Sequence, residues 1–192
     1  MTILSIRTVG DPVLRSECQP ITVFDKELAA LIDNMLETMY DVEGVGLAGP
    51  QVGIDKQIFT YGGIDDREGY IINPVLETGE ETQEGGEGCL SVPGIKSETP
   101  RKNWARVRGV DRHGNPLELE GEGLFARMLQ HETDHLYGTL FIDKLTGDDR
   151  KRVMRTIRAG KYAAVAGKTT AERATRVSGA FGSFGAAGSF GK

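Results

Sequence analysis

Long apolar runs are absent from this sequence of 192 residues, of which 39% are hydrophobic and 27% are charged. No stretch approaches the roughly 20 apolar residues that span a bilayer, so we do not expect a membrane protein. Near the N-terminus, Arg7 and Asp11 interrupt the one apolar stretch, which argues against a signal peptide. We therefore expect a globular, cytoplasmic protein that acts as a monomer and has no membrane partner.

Cysteine is scarce as well, with Cys18 and Cys89 as the two examples. A disulfide between them is the weaker interpretation, because a reducing compartment favours a metal or catalytic role for cysteine. Cys18 has no suggestive context, and we interpret it as structural or incidental. Cys89 lies in EGGEGCLSVPG, residues 84–94, whereas a cysteine used for packing normally has apolar neighbours. This stretch predicts a loop that presents the thiol to a partner.

Acidic residues are nearly missing from the C-terminal part of the chain. Residues 150–192 carry 10 Lys and Arg against one Glu, a net charge of +9, whereas residues 1–149 carry 13 against 27, a net charge of −14. A basic segment on an acidic body predicts a polyanionic partner, and the alternative is that this segment folds back on its own body.

Hydrophobic periodicity predicts an α+β fold. Helical spacing occurs at residues 25–43, 123–138 and 148–160, and β-branched or alternating segments bounded by turn signals occur at 56–61, 69–74, 104–111 and 116–122. We predict short, mostly antiparallel strands packed around the second helix. We divide the chain into a catalytic domain at 1–147, a basic helix at 148–160 and a flexible Gly/Ala/Ser-rich tail at 161–192, in which three phenylalanines leave docking open.

The second predicted helix carries His131, Glu132 and His135 in the segment QHETDHLYG. Residues four apart share a helix face, so both imidazoles can reach one metal, and Glu132 is placed to meet a water bound to it. The alternative is an exposed charged turn with two incidental histidines.

A third metal ligand must come from outside this helix. Glu172 lies in the basic tail, Phe141 occupies the place of a third histidine that would follow the helix, and His113 is better explained as a turn residue. Asp143 remains open, although its apolar surroundings favour a place in the core. Cys89 is the strongest candidate, and a thiolate with two imidazoles suits iron(II), zinc, cobalt or nickel.

The stretch GVGLAGPQVG, residues 44–53, is also rich in glycine. It lacks the later glycine or the Gly-Lys-Ser/Thr of a phosphate-binding loop, so we reject a nucleotide site. A rigid loop that ends in Gln51 could aim an amide donor at a developing oxyanion, although an ordinary turn is the better explanation when the stretch is taken alone.

The three segments together resemble the peptide deformylases, in which a GxGLAAPQ loop, an EGCLS loop and a QHExDH helix follow one another. Here they read GVGLAGPQ (44–51), EGCLS (87–91) and QHETDH (130–135). The resemblance covers about residues 1–160, including GDPVLR near the start. Gly49 departs from it, because the family usually has alanine there, and we expect the missing methyl to loosen the loop without loss of chemistry.

The resemblance implies a hydrolase that removes the formyl group from the initiator formyl-methionine of nascent polypeptides. It implies that Cys89, His131 and His135 bind the metal, for which we expect iron(II) natively with zinc, nickel or cobalt as alternatives. It also implies that Glu132 acts as general base and then acid. By the same resemblance, the Gln51 side chain and the Leu90 backbone N–H stabilise the oxyanion.

Substrate contacts are expected around the same helix. Leu124, Arg127 and Met128 precede His131 by seven, four and three residues, which places them near its face as a wall for the methionine side chain. The resemblance adds Val45, Gly46 and Gly88 as contacts of the substrate backbone. Arg127 is unexpected in such a wall. We expect its stem to border the pocket with its head in water, and a plain surface arginine is the alternative.

Three further expectations complete the hypothesis. Glu87 and Arg101 are a candidate pair that supports the metal ligands, with an exposed ion pair as the alternative. The basic C-terminal helix is expected to contact ribosomal RNA. The rival functions are an HExxH metallopeptidase and a non-catalytic, ribosome-associated metal-binding module.

Overall fold

The computed structural model describes residues 2–159, 162, 164 and 166–169, and these residues form an α+β fold. Helices lie at the three predicted places, whereas a helix of one turn and the helical backbone at residues 162, 164 and 166–169 were not predicted. Their bounds are α1 Lys26–Asp41, α2 Gly123–Leu136, α3 Phe141–Lys144 and α4 Gly147–Arg158, with 3-10 turns at Pro12–Arg15 and Gly49–Val52. Asp25 caps α1 by accepting a hydrogen bond from the Leu28 N–H at 2.9 Å, as its position before the apolar stripe predicts.

In the described part of the chain, nine strands form one larger sheet and two small ones, and all their pairings are antiparallel. The strands are β1 Gly46–Ala48, β2 Ile58–Ile64, β3 Arg67–Thr78, β4 Thr82–Gln83, β5 Gly86–Cys89, β6 Val92–Glu98, β7 Arg101–Lys102, β8 Trp104–Val110 and β9 Pro116–Glu122. The larger sheet has the order β1-β2-β3-β8-β9, while β4 pairs with β7 and β5 with β6. The four predicted strands correspond to β2, β3, β8 and β9.

Helix α2 packs on one face of the larger sheet, and α1 packs on the opposite face at β2. Phe59 of β2 points to the face that packs on α2 together with Phe125, whereas its neighbour Ile58 points to the opposite face, where it joins Ile32 and Met35 of α1. This alternation follows from the period of two along a strand, and it explains why β2 is apolar on both sides. Each such buried side chain contributes about 1.5–3 kcal/mol. At β2 the sheet thus lies between α1 and α2.

The predicted loop around Cys89 is a β-hairpin. Cys89 ends β5 and pairs with Val92 of β6, so the thiol sits at a tight turn rather than in irregular backbone. Cys18 is buried in the core between the sheet and α2, in agreement with a structural role. Both cysteines are free.

A third apolar cluster lies beside the hairpin and α4. It contains Val92 and Ile95 of β6, Phe141 of α3, Val153 of α4, and Tyr162. Most of the predicted flexible tail at 161–192 lies outside the described residues. Within the described part of the chain, no helix is long and apolar enough to cross a membrane.

Candidate metal centre and substrate cleft

The end of β5 and the middle of α2 bring three ligand atoms together. The Sγ of Cys89 lies 3.3 Å from Nε2 of His135, which lies 3.2 Å from Nε2 of His131. All three donor atoms fall within 4.8 Å of one another, and they are the one such group of His, Cys, Asp and Glu among the described residues. One thiol and two imidazole nitrogens that converge in this way fit a divalent transition-metal ion.

The orientation of His131 is fixed by Glu87 of β5. Nδ1 of His131 lies 2.6 Å from Oε1 of Glu87, so this nitrogen donates to the carboxylate and leaves the lone pair of Nε2 facing the other ligands. A carboxylate behind a ligating histidine is the usual way to fix the tautomer of the ring. Nδ1 of His135 is buried and has no hydrogen-bond partner among the described residues.

Glu87 is held by two arginines. Arg101 donates through Nε and Nη2 at 2.9 and 2.6 Å, and its Nη1 reaches Asp134 of α2 at 2.6 Å. The side chains of Glu87 and Arg101 are each 4% exposed, so the predicted pair is buried beside the candidate metal ligand His131 and is not an exposed ion pair. Burial alone would raise the pKa of Glu87, but the hydrogen bonds from Arg101 and His131 hold it well below its usual range.

Arg127 does not fit either sequence-based expectation. Its head is buried, not in water, and its Nη1 donates to Oε2 of Glu87 at 3.0 Å and to the carbonyl of Thr99 at 2.6 Å. Its Nη2 is buried without a hydrogen-bond partner among the described residues. The guanidinium of Arg127 can be buried because the carboxylate of Glu87, 40 residues away in the chain, supplies its counter-charge.

Glu132 packs directly on the backbone of β1. A Cβ added at Gly46 would lie 2.3 Å from Oε1 of Glu132, so only glycine at this position leaves room for the carboxylate. Oε2 of Glu132 is buried without a hydrogen-bond partner among the described residues. Burial raises the pKa of Glu132 to about 7, while it lowers the pKa of the His135 imidazole well below its ordinary value.

Gln51 is buried in the 3-10 turn after β1. The backbone N–H of Ala48 donates to its Oε1 at 2.8 Å, and this bond turns the amide nitrogen towards Ser91 at 3.2 Å and Cys89 Sγ at 3.6 Å. The prediction that Gly49 loosens this segment is wrong. A Cβ there would approach the carbonyl oxygen of Lys56 to 2.7 Å, so backbone fills the space of the missing methyl.

The profile of the polypeptide deformylase family matches residues 3–151. This chain belongs to the peptide deformylase family. The peptide deformylase of Acidothermus cellulolyticus is 48% identical over 163 residues, which cover 85% of this chain and 90% of that protein. The crystal structure of the peptide deformylase from Thermus thermophilus has a TM-score of 0.78 and 39% identity, covering 89% and 99% of the two chains. The Legionella pneumophila structure has a TM-score of 0.77 and 38% identity, covering 85% and 98%.

Membership settles the reaction class. Peptide deformylases are metal-dependent hydrolases that remove the N-formyl group from nascent peptides, and this chain is such an enzyme. The metallopeptidase and the non-catalytic module are therefore not supported as alternatives.

The deformylase site opens into a cleft of about 790 Å³. Gln51, Leu90 and the candidate ligands Cys89 and His131 line it. All six residues predicted to contact substrate line it as well: Val45, Gly46, Gly88, Leu124, Arg127 and Met128. Val45 and Leu124 are exposed at its rim, whereas Met128 is buried. Sequence reasoning missed Glu43, Ile95, Lys96 and Thr169, which also line the cleft, and none of them carries a recognisable local signal.

The other ligand candidates lie elsewhere. His113 is exposed in a turn, where its N–H donates to Asp111 at 2.7 Å. Asp143 caps α3 by accepting from the Leu140 N–H at 2.8 Å and pairs with Arg15. Glu172 lies outside the described residues.

Proposed function

We propose that this chain hydrolyses the formyl amide of formyl-methionine at the start of nascent polypeptides and that Cys89, His131 and His135 hold the metal it needs. The observation that carries the proposal is the convergence of these three donor atoms within 4.8 Å, with Cys89 and His131 in the wall of an open cleft. A divalent ion held there, for which we propose iron(II), would polarise the formyl oxygen and acidify the attacking water.

Glu132 is proposed to move the proton. Its carboxylate sits in the cleft beside the proposed ligands, where Oε2 would accept a proton from the attacking water and return it to the departing amine. The unpartnered Oε2 supports this role, because no other group among the described residues competes for its lone pairs. The departing amine becomes the free N-terminus, and formate is the second product.

Gln51 and Leu90 are proposed to stabilise the charge that develops on the formyl oxygen. The bond from the Ala48 N–H orients the Gln51 amide, so that its Nε2 donor is preorganised towards Cys89. The backbone N–H of Leu90 follows the ligand Cys89 directly in the chain. Removal of one such donor typically lowers kcat by about 10²–10³-fold.

The first substrate residue is proposed to bind between α2 and β1. Leu124, Met128 and the stem of Arg127 offer an apolar wall to the methionine side chain, and Val45, Gly46 and Gly88 offer backbone along the cleft. Because all these residues come from one copy of the chain, a monomer suffices, and we place it in the cytoplasm with its nascent substrates.

The test is release of formate from formyl-Met-Ala-Ser by anaerobically purified protein, with metal content measured on every sample. We expect turnover by the wild type, a metal-loaded but inactive Glu132→Gln protein, and a metal-poor Cys89→Ser protein. Cys18→Ser is the matched control and should keep both metal and turnover. A fully loaded wild type that releases no formate would refute the proposal.

We also propose that α4 docks on ribosomal RNA. Asp148 and Asp149 in its first turn pair with Lys151 and Arg152 at 3.0 and 2.8 Å, so that the exposed Arg155 and Arg158 present the uncompensated charge. Contacts of this kind to phosphates weaken steeply with salt.

Co-sedimentation with ribosomes at two salt concentrations tests the docking proposal. The double variant Arg155→Glu/Arg158→Glu should lose association, whereas Lys26→Glu/Lys56→Glu, with the same change in net charge on another surface, should keep it. Equal association of the two variants would contradict the role of α4.

A further inference from the structure

The C-terminal segment beyond α4 reaches the substrate cleft. The family profile ends at residue 151, yet Thr169 lines the cleft together with Ile95 and Lys96 of β6. We propose that Thr169, together with Ile95 and Lys96, forms a subsite for the part of the peptide that follows the formyl-methionine. This inference rests on the proposed function, because it concerns the substrate of the same cleft.

The segment is anchored by packing. Tyr162 and Ala166 are 7% and 8% exposed, and both belong to the apolar cluster that contains Val92, Ile95 and Phe141. The backbone N–H of Tyr162 donates to the carbonyl of Ala159, the residue that caps α4, at 2.8 Å. This bond places Tyr162 next to the end of α4, and the spacing of four residues between the helical Tyr162 and Ala166 places them on one helical face.

The same cluster adjoins the metal centre. Phe141 stacks on the ring of His131 with a centroid distance of 6.4 Å and an interplanar angle of 26°, and Cys89 packs against the cluster as a half-buried residue. Burial, together with the nearby Cys89, raises the pKa of Tyr162 to about 12. Tyr162 and Ala166 thus share a cluster with residues of the hairpin that carries Cys89, and Thr169 lines the cleft.

Thr169 is placed to meet the later residues of a substrate. The formyl group must lie at Cys89, His131 and Glu132, and the methionine side chain is assigned to the wall of α2. Later residues of the peptide must therefore bind in other parts of the cleft. A cleft of about 790 Å³ is near the upper end of the range for drug-sized ligands. A threonine hydroxyl both donates and accepts, which suits the N–H and C=O groups of an extended peptide.

Peptide binding by the full-length, metal-loaded chain in a Glu132→Gln background tests the subsite. Titration calorimetry gives the Kd for formyl-Met-Ala and for formyl-Met-Ala-Ser. Thr169→Trp fills the cleft and should raise the Kd of the longer peptide by about tenfold, and that of the shorter one by less. Lys168→Trp places the same bulk on the neighbouring exposed residue and should leave both Kd values at those of the background protein.

Two smaller substitutions test the subsite with less disturbance of the fold. Thr169→Ala should raise the Kd of the longer peptide by about two- to fivefold, as expected for one lost hydrogen bond. Tyr162→Ala releases the anchor and should shift the same Kd in the same direction while cooperative unfolding is retained. Equal Kd values for Thr169→Trp and Lys168→Trp, or no effect of Thr169→Ala and Tyr162→Ala, would overturn the subsite.

The outcomes separate this inference from the proposed function. Formate release by the wild type together with unchanged Kd values in the Thr169 variants would remove the subsite and leave the deformylase. Peptide binding that depends on Thr169 without formate release by the loaded wild type would keep the subsite and remove the reaction. Absence of peptide binding would overturn the subsite directly.

Discussion

Two networks of arginine and glutamate in this protein use the same chemistry in opposite surroundings. Behind the metal centre, Glu87, Arg101 and Arg127 are nearly inaccessible. On the outer face of the larger sheet, Arg106 and Arg108 contact a row of glutamates at 2.6 to 3.7 Å, with side chains that are a quarter to a half exposed: these are Glu77, Glu118 and Glu120.

The two networks differ in the surroundings of the charge that remains after one member of an ion pair is removed. An exposed pair returns to water, and its contribution is about 0–1 kcal/mol. A buried pair that loses one member leaves an uncompensated charge, which costs about 3–5 kcal/mol. The buried network also ends on His131, so its disruption should reach the metal, whereas the exposed ladder leads to no functional group that we identify.

The largest effect is expected from Glu87→Ala. Loss of the carboxylate leaves Arg101 and Arg127 without their shared partner and frees the ring of His131. We expect the free energy of unfolding to fall by about 3–5 kcal/mol and metal affinity to fall by about 10–100-fold. Urea denaturation and metal competition with a chelator measure the two quantities, and unchanged metal affinity would show that Glu87 does not position the ligand.

Low pH should reduce the stability that the Glu87 carboxylate contributes. Its pKa is held below the ordinary value of 4.5, so the unfolded chain binds a proton first as the pH falls. The stability contributed by Glu87 is present above pH 4.5 and is lost progressively below it. Unfolding free energies measured between about pH 6 and pH 3 should therefore decline less in Glu87→Gln than in the wild type. Parallel curves would argue against a depressed pKa.

Substitutions of Arg127 distinguish the contribution of its charge to stability from that of its hydrogen-bond geometry within the buried network. Arg127→Met removes both hydrogen bonds of Nη1 and should cost about 1–3 kcal/mol, because the Thr99 carbonyl is left buried without this donor. Arg127→Lys keeps the positive charge but lacks the planar set of guanidinium donors, so we expect a smaller loss of stability. Thermal unfolding of the two variants is the measurement, and a Met variant as stable as the wild type would make Arg127 dispensable to the network.

The smallest effect is expected from Glu120→Gln in the exposed ladder. We expect a change of less than about 1 kcal/mol that shrinks further in about 1 M salt, with metal content and formate release unchanged. A loss comparable to that of Glu87→Ala would mean that burial is not what distinguishes the two networks.

Local periodicity explains what could be predicted from the sequence. The helices α1, α2 and α4 and the strands β2, β3, β8 and β9 each carry an apolar repeat, and the i, i+4 spacing of His131 and His135 places both rings on one face. Cys89 could be found because cysteine is rare in this chain and its neighbours are not those of a core residue.

Non-local contacts explain what could not be predicted. The strand β5 contains Gly86 and Gly88, which carry no alternating pattern, and its pairing with β6 becomes visible only in the fold. The buried head of Arg127 depends on Glu87, which is 40 residues away. Thr169 reaches the cleft through the packing of Tyr162, and a segment rich in small residues gives no sign of that.

The contact between Gly46 and Glu132 ties two motifs together that are far apart in the chain. A clash of this kind is normally relieved by a second substitution that shortens the opposing side chain, so that variants of the two positions would rescue each other. Here the opposing side chain is the proposed proton carrier, and its shortening would move the reacting oxygen away from the substrate. Shortening Glu132 therefore cannot restore activity to Gly46→Ala, and a suppressor screen that starts from this variant should return no substitution of Glu132.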